Sequence, residues 1–207
     1  MESILLPTCY FPPVSWFAYG SAYPKTIIEA YEHFPKQTWR NRCSVLSENV
    51  LQQLVVPLSG RRDKTLVKDI RIDHSSPWQK IHWKTLEACY RRSPWFEFYE
   101  DDIQPLFLIK EQFLFDLNDR IITCLSGLLG RELSLQRTNT YDEKGNFTDV
   151  RTHFSKKMIE SHCIIPPYAG GSGRVTSHRN VSVLDLLFME GKRSAEVLKE
   201  VSWIPGT

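Results

Sequence analysis

Two short apolar runs, Ile4-Leu5-Leu6 and Ile27-Ile28, flank one helix-length segment, and that spacing narrows the fold more than any other feature of the chain. The first run ends at Pro7 and then Pro12-Pro13, so it reads as a buried strand leading into a loop. Pro13 suits a first helical position, and Val14, Trp16, Phe17 and Ala18 form an apolar helix to Tyr19 before Gly20 stops it. Thr26-Ile27-Ile28 restarts a buried strand and delivers Glu29 at its end. Strand, polar-aromatic loop, helix and strand in this order begin an α/β domain. Loops after a first strand, facing a helix N-terminus, are where such domains receive anionic ligands. Thr8 and Tyr10 fall there, although Tyr10 also reads as a core aromatic beside Phe11, Trp16 and Phe17.

Further along, residues 38–45 predict a strand, Glu48-Asn49 a turn and residues 51–57 the returning strand of a hairpin, with Pro57 at its end or edge. A charged loop at 60–64 leads to a predicted strand at 66–73. Ser76 as N-cap, Pro77 at the first position and Gln79 predict a helix to about Arg92. Ser93-Pro94 breaks it, and a further turn covers 95–99. Leu106, Ile109, Phe113, Leu117, Ile121, Leu125 and Leu128 give the clearest helical period, with Gly130 as its stop. The alternation at 133–137, a turn at 143–146, a strand at 163–165 and a mobile loop at 166–174 follow. Ser182 caps a helix over 183–189 that breaks at Gly191, and a last helix covers 194–201. The expected fold is α/β: one domain over 1–207, a mixed β-sheet with helices on both faces and a helical C-terminal half. Its parts are a strand-rich 1–75, a helical 76–130 and a mixed 131–207.

Composition excludes several classes. A chain of 207 residues buries roughly 70% of its unfolded surface, and 42% hydrophobic residues with a net charge of +2 are ordinary for a globular protein. Nucleic acid is not expected as a partner, because such binders carry more positive charge gathered on one face. Five cysteines at 9, 43, 89, 124 and 163, with no C-x-x-C, fit reduced thiols. The N-terminus lacks a basic region and a long apolar run, so neither a signal peptide nor stable membrane insertion is expected, and the cytoplasm is the expected location.

Residues 29–42, E-A-Y-E-H-F-P-K-Q-T-W-R-N-R, gather most of the chemistry. On a strand over 38–45, alternation puts Arg40 and Arg42 on one face, about 7 Å apart, placed to hold a phosphate or carboxylate. Lys36 adds a third cation and Asn41 a polar neighbour. His33, preceded by Glu29 and Glu32, suits a proton carrier near neutral pH. On a strand over 66–73, Asp69, Arg71 and Asp73 share one face, as a neutral surface ladder or as part of a polar cleft. His82 lies beside the apolar stripe of its helix. The candidates are therefore His33, Glu29 and Asp73 for catalysis, with Tyr10, Lys36, Arg40, Asn41, Arg42, Asp69, Arg71 and His82 for substrate. No H-E-x-x-H, G-x-S-x-G, G-x-G-x-x-G, phosphate-binding glycine loop or kinase motif set occurs, and no metal is expected.

These segments in their order resemble the WbqC-like family over nearly the whole chain. The resemblance rests on L-P-x-x-Y-F-P-P at 6–13, E-x-x-x-H-F-x-K-Q-x-W-R-N-R at 29–42 and L-x-V-P at 54–57. It continues through D-I-R-I-D-x-S-x-P-W-x-x-x-H-W at 69–83, A-x-Y-x-x-S-P-W-F-E-F-Y at 88–99, D-V-R at 149–151 and S-V-L-D-L-L-F-x-x-G at 182–191. The family is encoded beside genes for O-antigen and other surface sugars, and the resemblance implies transfer of an acyl or aminoacyl group, such as glycyl, to a sugar precursor. It implies a nucleotide-linked or lipid-linked sugar as substrate and leaves the cofactor open between ATP and an activated acyl donor. Two rivals stay open: an ATP-dependent carboxylate-amine ligase, and a non-catalytic sugar-binding or assembly protein. A homodimer is a further expectation. The family pattern has a tyrosine-containing segment and an aromatic-Pro-Asn run before S-V-L-D-L-L-F, where this chain has A-G-G-S-G-R-V-T-S-H-R-N. The C-terminal wall of any pocket is expected to differ accordingly.

Overall fold

The computed structural model describes residues 3–47, 50–60, 64–131, 133–141, 145–154, 163–168 and 181–203. Strand β1 (Ser3–Pro7) is buried along its whole length. Helix α1 (Val14–Ser21) returns the chain to β2 (Lys25–Glu29), which runs parallel to β1 with Pro7 opposite Glu29. A hairpin of β3 (Arg42–Ser47) and β4 (Val50–Val55) follows, then the short antiparallel pair β5 (Leu58–Ser59) and β6 (Arg71–Ile72). Helices α2 (Trp78–Tyr90), α3 (Phe96–Ile103) and α4 (Leu114–Leu128) form the middle of the chain. Strands β7 (Leu135–Arg137) and β8 (Thr148–Asp149) then complete the main sheet. The chain continues through β9 (Cys163–Ile164), α5 (Val183–Glu190), α6 (Ser194–Glu200) and β10 (Ser202–Trp203), which pairs antiparallel with β9.

The main sheet has the order β7-β2-β1-β8, and every neighbouring pair in it is parallel. The α/β class is borne out, with the antiparallel pairs held apart as small separate sheets. Parallel strands need cover on their faces, which explains why β1 reads as a continuous apolar run. The core continues through Trp16, Phe17, Tyr90, Phe96 and Phe188, all fully buried. The loop after β1 is tied to the C-terminal part by backbone bonds from Val183 to Pro12 and from Val14 to Val181.

Four local expectations are corrected. The strand predicted at 38–45 begins only at Arg42, because the chain turns at Gln37 (φ 57°) and the carbonyl of Trp39 is taken by the Tyr10 N–H. The strand predicted at 66–73 is a 3₁₀ turn, Val67–Asp69, followed by the two-residue β6. There the Val67 and Lys68 N–H groups donate to the carbonyls of Glu32 and Ala30 rather than to a ladder. The α2 helix starts at Trp78 with Pro77 as its N-cap residue and no side-chain cap, so Ser76 does not serve. The long helix starts at Leu114 rather than near Leu106. Pro105 belongs to a separate 3₁₀ turn, and Gln112 and Leu114 are spent on backbone bonds to Ile72 and Ile70. The caps at Ser182 and Gly130 agree with expectation: Ser182 accepts from the Leu184 N–H, and Gly130 takes φ 63°. Most of the loop predicted at 166–174, the turn at 48–49, and residues 143–144 of the turn predicted at 143–146 lie outside the described residues.

Candidate functional site

The parallel sheet sets where polar side chains converge. From β1 the chain passes to β2 on one side, while β8 docks on the other side of β1. Where the strand order reverses beside a central strand, as it does when the chain crosses from β7 to β8, a crevice opens at the carboxyl ends of the strands. The residues delivered to that edge are Thr8 and Cys9 after β1, Glu29 ending β2, Thr138 after β7, and Asp149 with Arg151 at the end of β8.

Glu29 is wholly buried, and both its oxygens are engaged. Oε1 accepts from the Tyr31 N–H at 2.7 Å and the Thr138 hydroxyl at 2.9 Å, and Oε2 from Arg151 Nη1 at 3.1 Å. A buried carboxylate without such donors is strongly unfavourable, so this set of partners is what permits Glu29 at a strand end. Arg151 also donates from Nε and Nη2 to Asp149, with Nη2 at 2.7 Å, and its guanidinium lies 5.2 Å from the Tyr141 ring centre. Burial pulls the Arg151 pKa down, and the carboxylates of Asp149, Glu32 and Glu29 outweigh it and hold the group protonated. The same contact holds Asp149 below its usual range despite its partial burial.

Beside this pair lies a second. Arg40 is 2% exposed and donates from Nε to Glu32 Oε1 at 2.7 Å and from Nη2 to the same oxygen. Its carbonyl is clamped by Asn118 Nδ2 at 2.8 Å, so α4 fixes the turn that presents it. Because both Arg40 bonds end on Oε1, Glu32 Oε2 takes no hydrogen bond among the described residues. Burial lifts the Glu32 carboxyl above its usual range, while Arg40 and Arg151 pull it down and Glu29 adds to the rise. Cys9 is buried near Arg40 and Glu32, and burial pushes its thiol far above neutrality, so it is no nucleophile there.

The cluster contains three carboxylates against two guanidiniums, and both guanidiniums are spent on carboxylates. Such a site suits an amine or hydroxyl donor better than a bare phosphate. Among the described residues no group of three His, Cys, Asp or Glu side chains is arranged to hold a metal ion.

The sequence candidates divide into several places. Glu29 and Arg40 belong to the cluster. Asn41 is buried and clamps Val56, donating Nδ2 to its carbonyl at 3.0 Å. Arg42 is half-buried at the head of β3, with a buried Nε that meets no acceptor among the described residues. It does not share a strand face with Arg40, which lies in the preceding turn. Lys36 and His33 are exposed, and His33 forms an isolated bridge with Leu66. Tyr10 and His82 are buried together, hydroxyl to Nδ1 at 2.9 Å, away from solvent.

Asp69 pairs with Lys68 at 2.8 Å, Arg71 lies 5.1 Å from the Phe113 ring centre, and Asp73 accepts from the Ser75 N–H. None of these three meets the Glu29 cluster in a hydrogen bond or ion pair. Arg151, Asp149, Glu32 and Thr138 join the cluster from outside the sequence candidates. The D-V-R run at 149–151, placed after a predicted turn, was the signal that could have found two of them.

Comparisons with known proteins bear on this arrangement. The model of the WbqC-like protein family matches residues 8–177, which takes in every residue of the cluster. A Mycobacterium tuberculosis protein named Uncharacterized protein Rv1507c is 24% identical over 218 residues, covering 92% of this chain and 94% of its own length. No solved structure matches the chain.

Proposed function

The chain belongs to the WbqC-like protein family, and from that premise we propose that it is a transferase acting on a sugar precursor of surface-polysaccharide synthesis. It moves an acyl or aminoacyl group to an amine or hydroxyl of that sugar. One observation carries the reading. At the carboxyl edge of the parallel sheet, Glu32 holds Arg40 through Oε1 alone and keeps Oε2 for another partner.

In this reading the acceptor lies in the crevice and gives its proton to Glu32 Oε2 as its lone pair attacks the acyl carbon. The new C–N or C–O bond forms, and the bond to the donor's leaving group breaks with its electron pair. A carboxyl lifted by burial suits that task near neutral pH. Glu29, Arg151 and Asp149 form a fixed frame beside it, with no oxygen of Glu29 left over for chemistry. A substrate phosphate falls to Arg42 and the exposed Lys36, neither of which is paired with a carboxylate among the described residues.

The test is product formation. The protein is incubated with amino-sugar nucleotides and a panel of acyl and aminoacyl donors, and mass spectrometry reads the acylated sugar. Wild type gives product, and Glu32→Gln, with its far-UV circular dichroism unchanged, loses roughly 100-fold or more of the rate. Full turnover in Glu32→Gln removes the proton role. Pyrophosphate release from ATP on turnover points to the ligase instead, and sugar binding without product from any donor points to a binding module.

A further inference from the structure

A cavity of about 580 Å³ lies at the start of α2, against the 104–110 segment. Its volume falls in the range that holds small ligands. Trp83, Phe107 and Pro77 give it apolar walls, and Trp83 and Phe107 are themselves packed into the core with ring centres 5.6 Å apart. Lys80, Lys110 and His74 also line it, and among the described residues no aspartate or glutamate does. The flanking acids face other partners: Asp73 accepts from the Ser75 N–H at 2.8 Å, and Glu111 pairs with Arg120 at 2.5 Å. Gln79 donates Nε2 to the Ile109 carbonyl, which leaves its Oε1 as a neutral acceptor in the wall.

We propose that this cavity is a binding site for an organic phosphate monoester, separate from the Glu29–Arg151 cluster. The planar or apolar part of the ligand lies against Trp83 and Phe107, and the phosphate meets Lys80 and Lys110. A cavity walled by aromatics and lined by cations selects a molecule with an apolar body and an anionic end, because neither half alone satisfies both surfaces. Inorganic phosphate leaves the aromatic wall wet, and a neutral aromatic leaves the cations unmatched. The first turn of α2 strengthens the same preference, since its N–H groups have no side-chain cap and it carries no acidic residue.

The probe is phenyl phosphate, titrated by calorimetry into the full chain, with inorganic phosphate and phenol as the two half-ligands. Saturable binding is expected for phenyl phosphate, at least tenfold tighter than for either half. Lys110→Glu and Lys80→Glu, both at exposed positions, each weaken it at least tenfold. Glu32→Gln, the variant that tests the transferase reading, leaves it unchanged, which keeps the two tests distinguishable. Equal binding by the two lysine variants and wild type overturns the proposal, as does absence of saturation. Binding to vesicles of an anionic phospholipid without saturation by phenyl phosphate also overturns it, in favour of a lipid surface.

Discussion

Glu29 and Arg151 stand 122 positions apart in the chain and meet at 3.1 Å, one at the end of β2 and the other just beyond β8. The central strand β1 lies between those two strands, so the pair closes over its carboxyl end. Arg151 is 10% exposed and Glu29 not at all, which makes the contact a buried ion pair rather than a surface one. Its value lies in its geometry: it locks together two strands that no short connection joins.

Removing one partner of a buried pair leaves an uncompensated charge. Arg151→Ala is therefore expected to destabilise by roughly 3–5 kcal/mol, since both Glu29 and Asp149 lose their paired guanidinium. Combining Glu29→Gln with Arg151→Met is expected to cost less than the sum of the single changes, because neither charge then remains alone. Urea unfolding midpoints check this. Additive costs would mean that the two residues do not act as a unit.

The Tyr10–His82 pair sets the acid limb of stability. Burial holds His82 at about 4, well below its ordinary 6.5, with its ring bonded to Tyr10. The unfolded chain then binds the proton more tightly than the folded one, so the penalty is absent above the unfolded pKa and grows as pH falls from about 6.5 to about 4. At the low end it amounts to roughly 2–3 kcal/mol. His82→Gln is expected to flatten that limb while lowering stability at pH 8. Unfolding curves at several pH values check it, and an unchanged slope in His82→Gln would assign the acid limb to the carboxylates.

A second buried polar network joins the helical part to the hairpin. Asp185, wholly buried on α5, accepts from the Tyr90 hydroxyl at 2.7 Å and the Tyr168 hydroxyl at 2.8 Å. The Tyr90 oxygen in turn accepts from the Leu46 N–H on β3 at 2.9 Å. Tyr90→Phe takes a donor from the carboxylate and the acceptor from Leu46 in one step. A loss of about 1–3 kcal/mol is expected, against a few tenths for Tyr141→Phe, which is half exposed. Thermal unfolding of the two variants side by side decides it.

The readable parts of the chain were those whose information is local. β1 and β2 announce themselves as apolar runs, Ser182 as a cap, and Gly130 as a left-handed stop. Local pattern misleads where backbone groups are satisfied from far away. The 66–73 segment alternates like a strand, but its N–H groups bond to the 30–32 loop, and tertiary pairing overrides the pattern. The period from Leu106 to Phe113 is helical in sequence, yet Phe113 bridges Arg71 and ends any helix there. For the site, residues 29–42 gave Glu29 and Arg40 but not their partners. Arg151 is far away in the chain, and nothing local marks Glu32 as more than a neighbour of His33. Parallel order, which places β8 against β1, cannot be seen in a two-residue strand.

Gly191 gives the sharpest test of local geometry. It ends α5 at φ 55°, a backbone conformation that side-chain-bearing residues avoid. A Cβ built there overlaps the Trp95 indole, coming within 2.5 Å of Cε2 and 2.8 Å of Cγ. The backbone under the indole cannot retreat easily, because the Trp95 backbone N–H is fixed to the Phe188 carbonyl at 3.1 Å and the chain turns into α3 at the next residue. Gly191→Ala thus combines two costs: backbone strain of roughly 1 kcal/mol and overpacking of about 1–3 kcal/mol. For a chain of this size, that corresponds to a drop in Tm of roughly 4–16 °C. Trp95→Ala in the Gly191→Ala background should recover the steric part and leave the strain, so the double variant should cost less than the two single changes added together. A Gly191→Ala protein with an unchanged Tm would mean that the indole moves freely at the end of α5, and the close packing of Gly191 on Trp95 would lose its role in holding α3 to α5.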